Sequence, residues 1–170
     1  TYFNMVRPGI CLYGLYSSEN DRNVLKLKNV MSLKTEIVHL KTVSKGVYLG
    51  YGRTFQTKRT SLIATLPVGY GDGYKRTLSN NSYVIINNQK ANLVGLICMD
   101  QCMIDVTDIE NVKLRDEVLL FGEELPPKQL ADRADTIHHE FVAGVGIRVR
   151  RVFYKGGQII NITNNLLLPY

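Results

Sequence analysis

Residues 83–97 read YVIINNQKANLVGLI. Four residues of strong β preference stop at Asn87-Asn88, and a second apolar run resumes from Ala91 to Ile97, which predicts a hairpin around an asparagine turn. Outward from this stretch the period-two pattern recurs. Leu62, Ala64, Leu66 and Val68 alternate with Ile63, Thr65 and Pro67, and residues 117–121 form a short apolar run stopped by Gly122. Ile147, Val149, Arg151 and Phe153 alternate with Arg148, Arg150, Val152 and Tyr154, and Gly156-Gly157 then turns the chain into residues 158–162. One stretch has helical spacing: Pro126-Pro127 opens it, and Leu130, Ala131, Ala134 and Ile137 fall on one stripe. Eight or so short strands with one or two short helices predict a mainly β fold, an antiparallel barrel or sandwich. The polar run SSENDRN at 17–23 places a linker there or just before it.

Composition narrows the function. With 45% hydrophobic and 21% charged residues, the 170-residue chain can bury enough apolar surface to fold as one domain, or one domain plus a fragment. No apolar run nears the roughly 18–20 residues of a membrane span. The opening TYFN has neither the parts of a signal peptide nor an initiating Met, so the chain reads as a piece of something longer. The net charge of +6 is scattered, without the basic stripe and stacking aromatics of a nucleic-acid groove, so no nucleic-acid partner is expected. Cys11, Cys98 and Cys102 form no CxxC pair, and His138-His139 are adjacent instead of one helical turn apart, so no metal is expected. An odd number of separated cysteines points to reduced thiols and a cytoplasmic setting.

Three stretches are chemically loaded. Gly50-Tyr51-Gly52 and Gly69-Tyr70-Gly71-Asp72-Gly73-Tyr74 flank tyrosines with glycine, which frees the backbone and lets another surface come close. Taken alone, they read first as ordinary hairpin turns with an aromatic over a sheet edge. In residues 95–106 an apolar run is broken by Asp100-Gln101; this is either a surface turn or a bulge that aims backbone amides at a ligand.

Taken together, NMVRPGICLYGL at 4–15, MSLKTEIVHLKTVSKG at 31–46, YGRTF at 51–55, LPVGYGDGY at 66–74 and VGLICMDQCMIDVT at 94–107 resemble alanine racemase, in family order and spacing. The resemblance implies an enzyme that interconverts L- and D-alanine with pyridoxal 5'-phosphate (PLP) and supplies D-alanine for peptidoglycan. It implies that residues 1–14 are the last strand of an N-terminal α/β barrel and residues 15–170 a C-terminal β domain. The barrel and its PLP lysine lie outside this chain, so the isolated chain is expected to be inactive. In the family two subunits pair head to tail, and the β domain of one completes the site of the other.

The resemblance also implies residue roles. Tyr51 matches the tyrosine that moves the substrate proton on one face, a task for which a phenol needs positive charge nearby at neutral pH. Arg7 matches the arginine facing the PLP pyridine nitrogen, and Gly9 and Ile10 match amides that meet its phosphate. Met99 matches the residue whose amide binds the substrate carboxylate, Tyr70 a tyrosine narrowing access, and Cys98 and Asp100 flanking support. His139 stands where the family has a phosphate-contacting tyrosine, which suggests room for a substrate such as serine. Leu96 stands where the family has an arginine, and residues 144–150, GVGIRVR, also depart from its pattern. Two other readings stay open. One is the racemase part of a membrane-anchored serine/alanine racemase of the glycopeptide-resistance type. The other is a non-catalytic β-barrel binding module, which would scatter Arg7, Tyr51 and Met99 where catalysis would cluster Tyr51, Tyr70 and Met99.

Overall fold

The computed structural model describes residues 4–164 and 166, apart from the side chain of residue 19. Seven strands form one antiparallel sheet: β1 (Leu33–Glu36), β2 (His39–Val43), β5 (Ser61–Leu66), β6 (Tyr83–Ile86), β7 (Gln89–Leu93), β8 (Cys102–Asp105) and β9 (Glu117–Phe121). Their order is β1-β9-β6-β7-β8-β5-β2. The two edges, β1 and β2, are separated in sequence only by Ile37 and Val38. A sheet whose edges are two residues apart must curl on itself, and the linking residues bond to both sides. Ile37 N–H donates to the Asp116 carbonyl beside β9, and Val38 N–H to the Thr65 carbonyl of β5. The result is a curled, barrel-like sheet, as the alternating pattern predicts.

The hairpin that fixes this sheet forms as read. Asn87 and Asn88 both have positive φ, at 48° and 59°, the requirement of a tight two-residue turn whose twist suits the strands. Val84 and Ile86 on β6 and Ala91 and Leu93 on β7 point into the main core, with Ile37, Leu66, Ile104, Val118 and Leu120. The outer face at Tyr83 is covered by helix α1 (Pro127–Arg133). There the Tyr83 hydroxyl donates to Gln129 at 2.8 Å, and Arg133 lies over the ring.

Residues 4–8 have no regular structure and Gly9–Tyr13 form a short 3-10 helix. Two expectations give way. The helical stripe stops early: Asp135 has φ of 51°, the chain turns, and α2 (His138–Ala143) starts anew, leaving Ile137 59% exposed. Strand β10 (Arg151–Lys155) begins four residues later than the alternation suggests, and pairs with β11 (Gln158–Thr163) across Gly156-Gly157. Residues 17–23, the polar run, are locally ordered. Glu19–Asn23 form a 3-10 helix, and the Asp21 carboxylate accepts the Ser18 N–H at 2.9 Å.

Tyr74 is fully buried, and its hydroxyl has no hydrogen-bond partner among the described residues. Burial pushes the Tyr74 phenol well above its ordinary value, and burial, with Cys98 a lesser cause, pushes the Cys102 thiol up to about 12. Both groups therefore favour the folded state below their unfolded values and lose that contribution as pH rises toward their folded values. The urea midpoint is expected to fall between pH 9 and 11. Tyr74→Phe, which removes an unpaired buried hydroxyl, is expected to raise the unfolding free energy at pH 8 by about 1 kcal/mol and to soften the alkaline loss. Unfolding curves at pH 8 and 10.5 check both.

Candidate active site

Tyr51 is displayed by a small excursion outside the main sheet. Strands β3 (Tyr48–Leu49) and β4 (Phe55–Gln56) pair, and residues 50–54 loop between them. Leu49 is buried with Val43, Ile63 and Val94 in a second apolar cluster, against which Phe55 and Met103 pack. Ile63 points to this cluster while Ala64 and Leu66 on the same strand point to the main core, so β5 is covered on both faces. The buried Thr57 ties the base of the excursion, donating to Ser44 O at 2.7 Å and accepting the Val47 N–H at 2.9 Å. At its tip Gly50 has φ of 72° and ψ of −178°, angles open to little but glycine. The turn sends the Tyr51 ring outward, 74% exposed.

Two loops meet Tyr51. Residues 94–101 leave the sheet after β7 and return at β8, so of the two readings of this break the turn between strands is the one that forms; Cys98 N–H donates to Gln101 O at 2.9 Å across it. The Tyr70 loop lies against it. Tyr70 N–H donates to Cys98 O at 3.0 Å and Gly71 N–H to Met99 O at 2.9 Å. Gly69 has an ordinary φ, but a Cβ there would stand 2.1 Å from Cys98 O and 2.4 Å from Met99 O. Glycine is needed at 69 for space.

Tyr51, Tyr70 and Met99 therefore line one open pocket of about 690 Å³, with Arg76, Leu96 and Asp100. Arg76 is the cation of that lining. The Met99 N–H donates to no acceptor among the described residues. Two residues that the sequence reading assigned no role complete the frame. Arg148 Nη1 donates to Asp100 at 2.7 Å, and Nη2 lies 3.1 Å from Asp72. Asp100's hydrogen bond, the largest cause, pushes the Arg148 guanidinium further above its already high value.

Arg7, Gly9, Ile10 and His139 do not line this pocket. Arg7 and Gly9 are exposed and Ile10 is buried by its side chain. The N–H groups of Gly9 and Ile10 bond to nothing among the described residues, and the space beside Gly9 Cα is open for 4 Å. His139 is exposed at the start of α2, its ring 4.6 Å from that of His138. His138, not His139, faces a separate hollow of about 320 Å³ with residues 14–18. Burial, then the neighbouring His139, pushes the His138 imidazole below its ordinary value.

Curled sheet, glycine-framed tyrosines and an unengaged amide thus make a β domain with one open pocket at one end of its sheet. Residues 30–153 match the family described as alanine racemase, C-terminal domain, and the chain belongs to that family. It is 50% identical over 170 residues to alanine racemase of Clostridium novyi, covering 96% of this chain and 44% of that protein. Among solved structures, alanine racemase of Clostridium difficile in complex with cycloserine superposes with a TM-score of 0.89 at 38% identity, covering 94% of this chain and 43% of that one. The Bartonella henselae alanine racemase with covalently bound pyridoxal phosphate gives 0.77 at 35% identity, covering 85% and 40%. The chain thus spans less than half the length of the relatives it matches.

Proposed function

We propose that the full-length protein is a PLP-dependent racemase acting on alanine, to which this domain lends the proton-transferring tyrosine and the substrate-carboxylate amide. The convergence of Tyr51, Tyr70 and Met99 on one open pocket, within a chain of this family, carries the reading. A scattered arrangement would have favoured a binding module.

The chain's own groups suit the cofactor. Gly9 and Ile10 present two unengaged amides, with open space beside Gly9, a donor pair that suits a phosphate, and the exposed Arg7 is of the type that would face a ring nitrogen as a donor that keeps its proton. PLP, when bound, withdraws electrons from the substrate Cα and makes its proton removable. Within the pocket the Tyr51 hydroxyl takes or returns that proton on one face, the Met99 N–H holds the carboxylate still, and Tyr70 narrows the approach. The opposite face needs a second acid–base group, supplied in the family by the cofactor's lysine.

Arg7, Gly9, Ile10 and His139 lie outside the Tyr51 pocket. That separation suits a head-to-tail homodimer in which each chain serves its own cofactor with one group and its partner's with the other. The three free thiols suit a reducing, cytoplasmic setting, and a role in D-alanine supply for peptidoglycan follows from the reaction. Among the described residues no helix is long and apolar enough to cross a membrane.

The decisive assay is chiral detection of D-alanine from L-alanine with the full-length protein and PLP; absence of turnover overturns the reading. His139 bears on substrate size. Its imidazole is shorter than the family's tyrosine and exposed on α2. His139→Tyr is therefore expected to lower the serine-to-alanine ratio of kcat/KM several-fold, about the discrimination available from a small change in pocket volume. An equal or higher ratio counts against spare room at this position.

A further inference from the structure

We propose that Arg148 is a positioning residue for substrate-carboxylate binding: it cross-links the Tyr70 and Met99 loops and so sets where the Met99 amide stands. This rests on the racemase reading above. Arg148 belongs to the turn between α2 and β10, and its guanidinium lies across Gly71, where a Cβ would come within 2.4 Å of Nη2. Nη1 donates to Oδ1 of Asp100, the residue after Met99, at 2.7 Å. Nη2 meets Oδ1 of Asp72, two residues after Tyr70, at 3.1 Å.

The network is braced on each side. The other Asp72 oxygen accepts the Gly69 N–H at 3.0 Å, and the Asp72 carbonyl accepts the Gly146 N–H at 3.0 Å. One planar fork thus spans both loops and anchors them to a third segment, which a lysine's single point charge cannot do. Exposed ion pairs add little to stability. Here the Arg148 side chain is 38% exposed and that of Asp100 63%. The effect of the pair therefore falls on loop geometry more than on folding.

The test uses the full-length protein with PLP. R148Q is expected to raise KM for L-alanine about tenfold with kcat within about threefold, because an amide that holds the carboxylate throughout contributes binding common to ground and transition states. Propionate, a carboxylate without an amino group, should inhibit the wild type competitively, and its inhibition constant should rise in parallel with KM. R148K should recover part of both. Asp100→Asn, which weakens the same bond from the other side, carries the same expectation if R148Q does not fold. Unchanged KM and propionate inhibition in a folded variant, or a fall in kcat at constant KM, overturns the positioning role. A wild type that does not racemise alanine overturns the racemase reading instead.

Discussion

Tyr51→Phe in the full-length protein is expected to lower kcat for L-alanine about 10³-fold, the upper-middle range for a positioned proton-transfer group, while KM changes little. The substitution removes one oxygen and leaves the ring. That ring is 74% exposed on a loop whose foundation is Leu49 and Phe55, so the variant should unfold at the wild-type temperature. Packing and proton transfer are therefore separable at this position, which is rare for a tyrosine. In the proposed reaction the same hydroxyl serves both directions, as acceptor in one and donor in the other, so turnover of D-alanine should fall alongside that of L-alanine. Chiral chromatography of single-turnover reactions reads both. Retention of more than a tenth of wild-type turnover would remove Tyr51 from the reaction and leave the pocket a binding surface.

Much of this was legible because it is local. The Asn87-Asn88 turn, the alternation through β5 and the glycines around Tyr51 and Tyr70 each depend on residues a few positions apart. The short 3-10 helix at Gly9–Tyr13 carries no signal in the spacing of its residues. The break in the predicted helix turns on Asp135 adopting positive φ, which no spacing rule reveals. Arg148 escaped for a different reason. Its partners Asp72 and Asp100 lie far away in sequence, and a charged residue amid GVGIRVR looks like ordinary solvated surface until the fold brings the three together. The helical stripe failed at its last member, Ile137, and held at Leu130 and Ala131, which the core required.

Gly69→Ala is expected to lower stability by about 3 kcal/mol and to raise KM for L-alanine more than tenfold. The backbone at 69 is extended with φ of −151°, so alanine meets no conformational objection there. The objection is spatial. Its Cβ would stand 2.1 Å from one backbone carbonyl and 2.4 Å from the next, and neither atom is the end of a flexible side chain. The loops must part, which breaks the Tyr70–Cys98 and Gly71–Met99 hydrogen bonds and withdraws the Met99 amide from the pocket. Gly50 supplies the contrast, because there the requirement is for angles: the nearest obstacle to a Cβ is the movable Met103 methyl at 3.2 Å. Gly50→Ala should therefore cost about 1–2 kcal/mol of strain, displacing Tyr51 and lowering kcat, while Gly69→Ala acts on substrate capture. Urea unfolding with steady-state kinetics on the two variants distinguishes them: a Gly69→Ala protein with wild-type stability and KM would mean that the two loops are not held in contact in solution.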